Sequence, residues 1–358
     1  MTIDDNKWAH SHTWNEILSQ GGVWQSVLNM LSRSATLERI ISTSRDRQEW
    51  LFVGCGTSFY LAEAAAGSWT LLTRQQARAI PASEVLLFPE LLTAAGTQTQ
   101  AVVISRSGRT SEAVRAAKVL SEDLRIPTLG VTCAENSKLD EICSESIVLA
   151  AADEKSTVMT RSFTSMLLSL QLLAARRAGK LQFIEHLEAM AQRFAPRIRV
   201  IAGQVEAFVR QQAFDDYVFL GQGPFHGIAR EAALKVMEMS CSHSQFFHTL
   251  EFRHGPKAIV TPATCLTFFL SETGQKEEVE VLSEMKELGG VTIAICNRAG
   301  DPVRQVSNLV VETNLDVPEL AWLAPFTVPC QQLGFFTGLR KGLNPDEPKN
   351  LTRVVILD

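Results

Sequence analysis

No stretch of the sequence approaches the roughly 18 consecutive apolar residues that a membrane-spanning helix needs. The first residues, Met1-Thr2-Ile3-Asp4-Asp5-Asn6-Lys7, hold no basic segment feeding an apolar core, so no secretory leader is expected. There is no long block of Lys or Arg. With 34 basic residues against 39 acidic ones the formal charge is −5, and a nucleic-acid surface has no electrostatic footprint. Cysteine is scarce and odd in number. The seven present sit mostly in apolar runs such as Phe52-Val53-Gly54-Cys55 and Ile293-Ala294-Ile295-Cys296, where Cys packs as a small hydrophobe. A reducing cytoplasm without disulfides is therefore expected. Cys241, His243 and His248 stand near the ionisable segment 251–257, but neither C-x-x-C nor H-E-x-x-H spacing occurs, so no metal is expected. A small-molecule partner fits these absences best.

The chain has 358 residues, enough for about two domains at roughly 150 residues each. Its composition, 46% apolar and 20% charged, is that of a globular protein and excludes disorder and collagen-like repeats. Apolar runs bounded by Gly, Ser or Asn recur at 50–54, 100–105, 127–133, 146–151, 217–221, 265–271, 291–297 and 308–313. They have the character of strands buried on both faces. Between them lie helical patterns at 110–123, 160–178, 227–239, 275–288 and 318–340, and this alternation predicts parallel α/β layers.

The halves resemble each other. Phe52-Val53-Gly54-Cys55-Gly56, then Leu61-Ala62 and Ala65-Ala66, lies over Phe219-Leu220-Gly221-Gln222-Gly223, then Ile228-Ala229 and Ala232-Ala233, at one constant offset. An internal duplication follows. The organisation expected is an N-terminal helical segment (1–45), a first domain (46–180), a connecting helix interrupted by Pro196 (181–215), a second domain (216–340) and a turn-rich tail (341–358). The fold class expected is two tandem αβα sandwiches with parallel sheets.

Open parallel sheets bind ligands past the carboxyl ends of their strands. Ser105-Arg106-Ser107-Gly108-Arg109-Thr110 lies at such a point and offers hydroxyls, guanidinium groups and a Gly that lets backbone N–H groups close on a phosphate. A polar turn with a hydroxyl N-cap is the alternative. Gly54-Cys55-Gly56-Thr57-Ser58 is no dinucleotide fingerprint, because Phe59 stands at the third Gly position and His226 does so in the second copy. Thr57 and Ser58 could meet a sugar or phosphate, or cap a helix. The polar run Asp153 to Thr164 reads as helix capping. Glu231, Lys235 and Glu238, spaced by four and three, share a helix face as ion pairs. Their apolar neighbours Ala229, Ala232, Ala233, Leu234 and Val236 argue instead for a partly desolvated base.

Together these segments resemble the sugar isomerase (SIS) family in its flavodoxin-like, double-domain form. That form is found in the isomerase half of glucosamine-6-phosphate synthase, in amino-sugar-phosphate deaminase/isomerases and in fructosamine-phosphate deglycases. The resemblance runs from about Thr13 to the C-terminus. It is carried by Ser105-x-Ser107-Gly108-x-Thr110, Glu231-x-x-x-Lys235-x-x-Glu238, Glu251-x-Arg253-His254-Gly255-Pro256 and the tail Asn344-Pro345-Asp346 to Asn350-Leu351. It implies a phosphate site at Ser105, Arg106, Ser107 and Thr110, with Thr57 and Ser58 close to it and sugar contacts from Thr157 and Met159. It also implies Glu238 as the group moving a proton between C1 and C2, His254 as ring opener or acid, Lys235 as polariser of the oxygen, and Glu231 in support. No cofactor is implied. A homodimer with shared active sites is, because His254 would come from the partner subunit.

Two departures from the family pattern bear on the reaction. Arg353 stands where the synthase has a lysine, keeps its proton and cannot form a Schiff base, so it is expected only in a supporting role. No glutaminase region precedes the SIS region, so a catabolic direction is expected. The resemblance thus implies isomerisation of a sugar 6-phosphate, with loss of ammonia from an amino sugar. A fructosamine-6-phosphate deglycase, or a non-catalytic sugar-phosphate sensor, are the other expectations.

Overall fold

The apolar runs form two five-stranded parallel sheets. In the computed structural model, which describes residues 8–93 and 98–357, β1 (Glu49–Gly54), β2 (Gln76–Pro81), β3 (Thr99–Ile104), β4 (Thr128–Thr132) and β5 (Glu145–Val148) pair in the order β2-β1-β3-β4-β5. β6 (Asp216–Gly221), β7 (His243–Phe247), β8 (Thr264–Phe269), β9 (Val291–Cys296) and β10 (Leu309–Glu312) pair as β10-β9-β8-β6-β7. Read from the other edge this is the same order, so the expected duplication is visible in the topology. The parallel register sets Phe52 beside Val102 and Phe219 beside Thr267. Residues 1–7, on which the reading of the N-terminus rests, lie outside the described residues.

The helices in chain order are α1 (His12–Arg33), α2 (Thr36–Thr43), α3 (Thr57–Thr73), α4 (Ala82–Leu87), α5 (Glu90–Thr93), α6 (Ser111–Lys118), α7 (Lys138–Ile142), α8 (Arg161–Arg177), α9 (Leu181–Phe194), α10 (Arg197–Gln211), α11 (Pro224–Ser240), α12 (Gln275–Glu287), α13 (Asp301–Val306) and α14 (Leu323–Arg340). The segment read as one interrupted connecting helix is two, α9 and α10, parted at Ala195-Pro196 because proline cannot continue the hydrogen-bond ladder. Among the described residues no helix is long and apolar enough to cross a membrane.

By contacts the chain forms two units. The first-sheet unit holds residues 22–155, 161–188 and 352–357, apart from 94–97; the second-sheet unit holds 8–21, 156–160 and 189–351. Leu51, Val53, Val103, Leu120 and Leu139 anchor one core, and Val218, Leu220, Leu266, Phe268 and Val281 the other. Burial of each such side chain contributes about 1.5–3 kcal/mol.

The tail motif has a structural task. The Asp346 carboxylate accepts hydrogen bonds from Thr13 N (2.7 Å), His12 N (3.0 Å) and Ser11 Oγ (3.0 Å) at the start of α1. Burial alone would raise its pKa, but these bonds outweigh burial and hold the carboxyl below its ordinary value, as suits an anion at a helix N-terminus.

Candidate active site

In both sheets the strand order reverses between the first and third strands of the copy, β1/β3 and β6/β8, the switch point where ligands bind in folds of this order. After β1 the chain turns through Gly54-Cys55-Gly56 into α3, and after β6 through Gly221-Gln222-Gly223 into α11. Gly56 and Gly223 share φ of +53°, the left-handed region that favours glycine. A Cβ on Gly54 would lie 2.4 Å from the Ser58 backbone, and one on Gly221 2.4 Å from that of Phe225, so both turns require bare backbone. Gly56 is the N-cap residue of α3 and no side chain caps there. Thr57 and Ser58 lie buried in the first turn, so the capping alternative is not seen at this loop.

The loop after β3 is closed on itself. Gly108 N–H donates to Ser105 O at 3.0 Å, Gly108 has φ of +59°, and a Cβ there would lie 2.2 Å from Ser137 Oγ. Thr110 occupies the N-cap position of α6 without capping it. Its Oγ1 is instead 3.3 Å from Ser105 Oγ, while Ser107 Oγ accepts from Arg109 N at 3.2 Å. Hydroxyls from both ends of the loop thus converge in front of a helix N-terminus. Arg106 is buried. Its Nη1 lies 3.5 Å from the carboxylate of Glu154, which also accepts from Ser162 Oγ, and its Nη2 donates to Arg353 O at 3.0 Å. Arg353 pairs with Asp153 through its own guanidinium, at 2.7 Å.

The matching loop of the second sheet is occupied by the chain itself. Aligned on glycine, Ser271-Glu272-Thr273-Gly274 answers Ser105-Arg106-Ser107-Gly108. Glu319 accepts from Glu272 N (2.8 Å), Thr273 N (3.1 Å) and the Thr273 hydroxyl, and Glu278 accepts from Ser271 N (2.7 Å) and Ser271 Oγ (3.0 Å). Burial pushes the Glu278 carboxyl up to about 7. Of the two loops, the first-sheet one is therefore the candidate for an anionic ligand.

The second-sheet unit carries the ionisable cluster. On α11, Lys235 Nζ lies 3.2 Å from Glu231 Oε1 and 2.5 Å from Glu238 Oε2, with Lys235 and Glu231 fully buried and the Glu238 side chain 17% exposed. Burial alone would lower the lysine pKa; the flanking carboxylates, Glu231 first, outweigh it, and the pKa is raised above 10.5. Lys235 is thus a fixed cation. Its helix can be approached closely because α14 presents Gly334 and Gly338 to it: a Cβ on Gly334 would lie 2.8 Å from Lys235 O, and one on Gly338 2.2 Å from Met239 O.

Residues 156–160 belong to the same unit. Ser156, Val158 and Thr160 are buried, Ser156 Oγ donates to Glu16, and Gln331 Nε2 donates to Thr160 O at 3.2 Å. Thr157 and Met159 alternate with them and are partly exposed. His254 ends the 3₁₀ turn Glu251–Arg253 and is exposed, before Gly255 at φ of +118°. His226, at the third-Gly position of the second turn, stacks on His248 with centroids 3.8 Å apart. Burial first, then the neighbouring His248 and Arg230, lower its pKa to about 4, so it is neutral at physiological pH.

The structure gathers Ser105, Arg106, Ser107, Thr110 and Arg353 in one unit, and Glu231, Lys235 and Glu238 in the other. Glu154 falls within the run read as helix capping and Glu16 had no assigned role; a carboxylate beside hydroxyls reads as capping when its long-range partner is unknown. Among the described residues no cluster of three or more His, Cys, Asp or Glu is placed to hold a metal ion.

Comparison with known proteins gives a consistent picture. The family model described as SIS domain matches residues 45–176 and 189–332. A D-galactosamine-6-phosphate deaminase AgaS from a Shewanella species is 28% identical over 94% of this chain and 87% of that protein. The glutamine–fructose-6-phosphate aminotransferase of Pyrobaculum aerophilum is 28% identical over 90% of this chain, which spans only 54% of that relative. The crystal structure of a glucosamine-6-phosphate deaminase from Thermotoga maritima superposes with a TM-score of 0.77 at 28% identity, covering 97% of this chain and 100% of that one.

Proposed function

The chain belongs to the SIS domain family, with two copies of the domain in tandem, among relatives that are phosphosugar isomerases and deaminases, and we propose that it is an amino-sugar-6-phosphate deaminase/isomerase. One observation carries the reading: Glu238 is the partly exposed member of an otherwise fully buried set of charges, held beside a permanent cation. Such a carboxylate has a face open to a ligand, as a general base requires.

In this reading the loop 105–110 takes the phosphate through Ser105, Ser107 and Thr110 hydroxyls and backbone N–H groups, with Arg106 beside it. Thr57, Ser58, Thr157 and Met159 supply contacts to the sugar, and Glu231 supports Lys235. His254 opens the ring, and its exposure on a short turn suits contribution to a partner subunit in a homodimer. Glu238 removes the C2 proton from the open-chain 2-amino aldehyde, giving an enolamine, and the proton returns at C1. The product is a C2 imine, which water hydrolyses to ketose 6-phosphate and ammonia. Lys235, buried between its carboxylates, acts through Glu238 and not on the substrate oxygen directly.

The test is product analysis with glucosamine, galactosamine and fructosamine-type 6-phosphates. Equimolar ammonia and ketose phosphate is the expected result. Release of an amino acid would make the protein a deglycase, and a phosphosugar that binds without any product would make it a sensor; either overturns the deaminase reading.

A further inference from the structure

Residues 352–357 belong to the first-sheet unit and run across the start of α6. Ser111 N–H, at the N-terminal end of that helix where backbone donors lack intrahelical partners, donates to Val355 O at 3.2 Å, and Leu357 N–H donates to Ser111 Oγ at 2.9 Å. The same strip also meets the phosphate loop through the 3.0 Å bond from Arg106 Nη2 to Arg353 O.

Arg353 therefore works at both its ends. Its carbonyl receives Arg106, and its guanidinium is held by Asp153. Glu154, the next residue after Asp153, reaches Arg106 directly, at Nη1 rather than at the Nη2 that meets Arg353 O. Two consecutive carboxylates thus fix one buried guanidinium, Glu154 by contact and Asp153 at one remove.

We propose that Asp153 is a positioning residue for phosphate recognition: its ion pair with Arg353 latches residues 352–357 over the loop and sets the carbonyl against which Arg106 is aimed. This rests on the assignment of the phosphate to loop 105–110. A guanidinium already held in its bound rotamer loses less freedom when the ligand arrives, which is where the latch acts on affinity. Asp153 and Arg353 are each 41% exposed, and pairs in water hold weakly, so the expected effect of losing the latch is a rise in KM of about two- to fivefold with little change in kcat.

The test compares wild type, Asp153→Ala, Arg353→Gln, the double variant and the swapped pair Asp153→Arg/Arg353→Asp. It uses KM and kcat on the amino-sugar phosphate converted, with hydrogen exchange of the peptide holding Ser111. The latch predicts a raised KM and faster exchange in each single variant, no further loss in the double variant, and recovery in the swap. Additive effects on KM, a loss in kcat alone, or exchange identical to wild type would overturn it. Failure of the underlying assignment has a different signature: Ser107→Ala would leave KM unchanged while exchange at Ser111 still responded to Asp153→Ala.

Discussion

Replacing Lys235 by methionine keeps most of the side-chain volume and removes the charge at the centre of the α11 cluster. In wild type the lysine pKa is raised above 10.5, so its stabilising contribution is fully present below that value and fades only as pH climbs through the higher folded value. Across neutral pH the cluster is therefore intact. Without the cation, the fully buried Glu231 carboxylate loses the ammonium that lies 3.2 Å from its Oε1. Breaking one partner out of a buried pair costs about 3–5 kcal/mol. For a folding body of 150–250 residues that is roughly a 6–20 °C fall in Tm. The sign with pH is fixed as well. A desolvated carboxyl titrates higher in the folded than in the unfolded chain, so the variant loses stability as pH rises through that window. Thermal melts at pH 5 and pH 8 should show the larger deficit at pH 8, and adding Glu231→Gln should recover much of it. A Lys235→Met protein melting within about 2 °C of wild type at both pH values, against an expectation set by buried-pair energetics, would refute the account of the cluster.

Two other expectations follow from packing and titration. Gly338→Ala places a methyl 2.2 Å from Met239 O, and Gly334→Ala one 2.8 Å from Lys235 O; overpacking of this kind costs about 1–3 kcal/mol, and melts should rank Gly338→Ala as the more damaging, with Gly334→Ala lowering kcat through its shift of Lys235. Glu278 has its folded pKa raised from 4.5 to about 7 by burial, so the folded chain holds a proton that the unfolded chain has lost, and stability falls as pH rises between those values, by up to about 3 kcal/mol. Glu278→Gln should flatten that slope; an unchanged slope in denaturant titrations across the window would reject the assignment.

The sequence made the sheets legible where strands are covered on both faces, since runs such as Phe52-Val53 and Leu266 to Phe269 admit little else. It hid β2 and β7, each at one edge of its sheet, whose residues Gln76-Ala77-Arg78-Ala79 and His243-Ser244-Gln245 carry no apolar run. Loop and α11 motifs were readable because their residues are neighbours in sequence or on one helix face. The partners that tune them were not. Glu154 meets Arg106, Asp346 meets Thr13, and Glu319 fills the second loop, each across a sequence distance that no local pattern spans. The hydroxyls near Asp153 and Glu154 read as capping for the same reason.

The most direct test of the central claim is incorporation of solvent deuterium into the sugar phosphate by wild type and by Glu238→Gln. The account predicts label at the carbons between which Glu238 moves the proton, and a fall in exchange of about a hundredfold or more in the variant, with phosphosugar binding retained. Exchange unaffected by Glu238→Gln, or turnover by wild type without any deuterium entering, would contradict it.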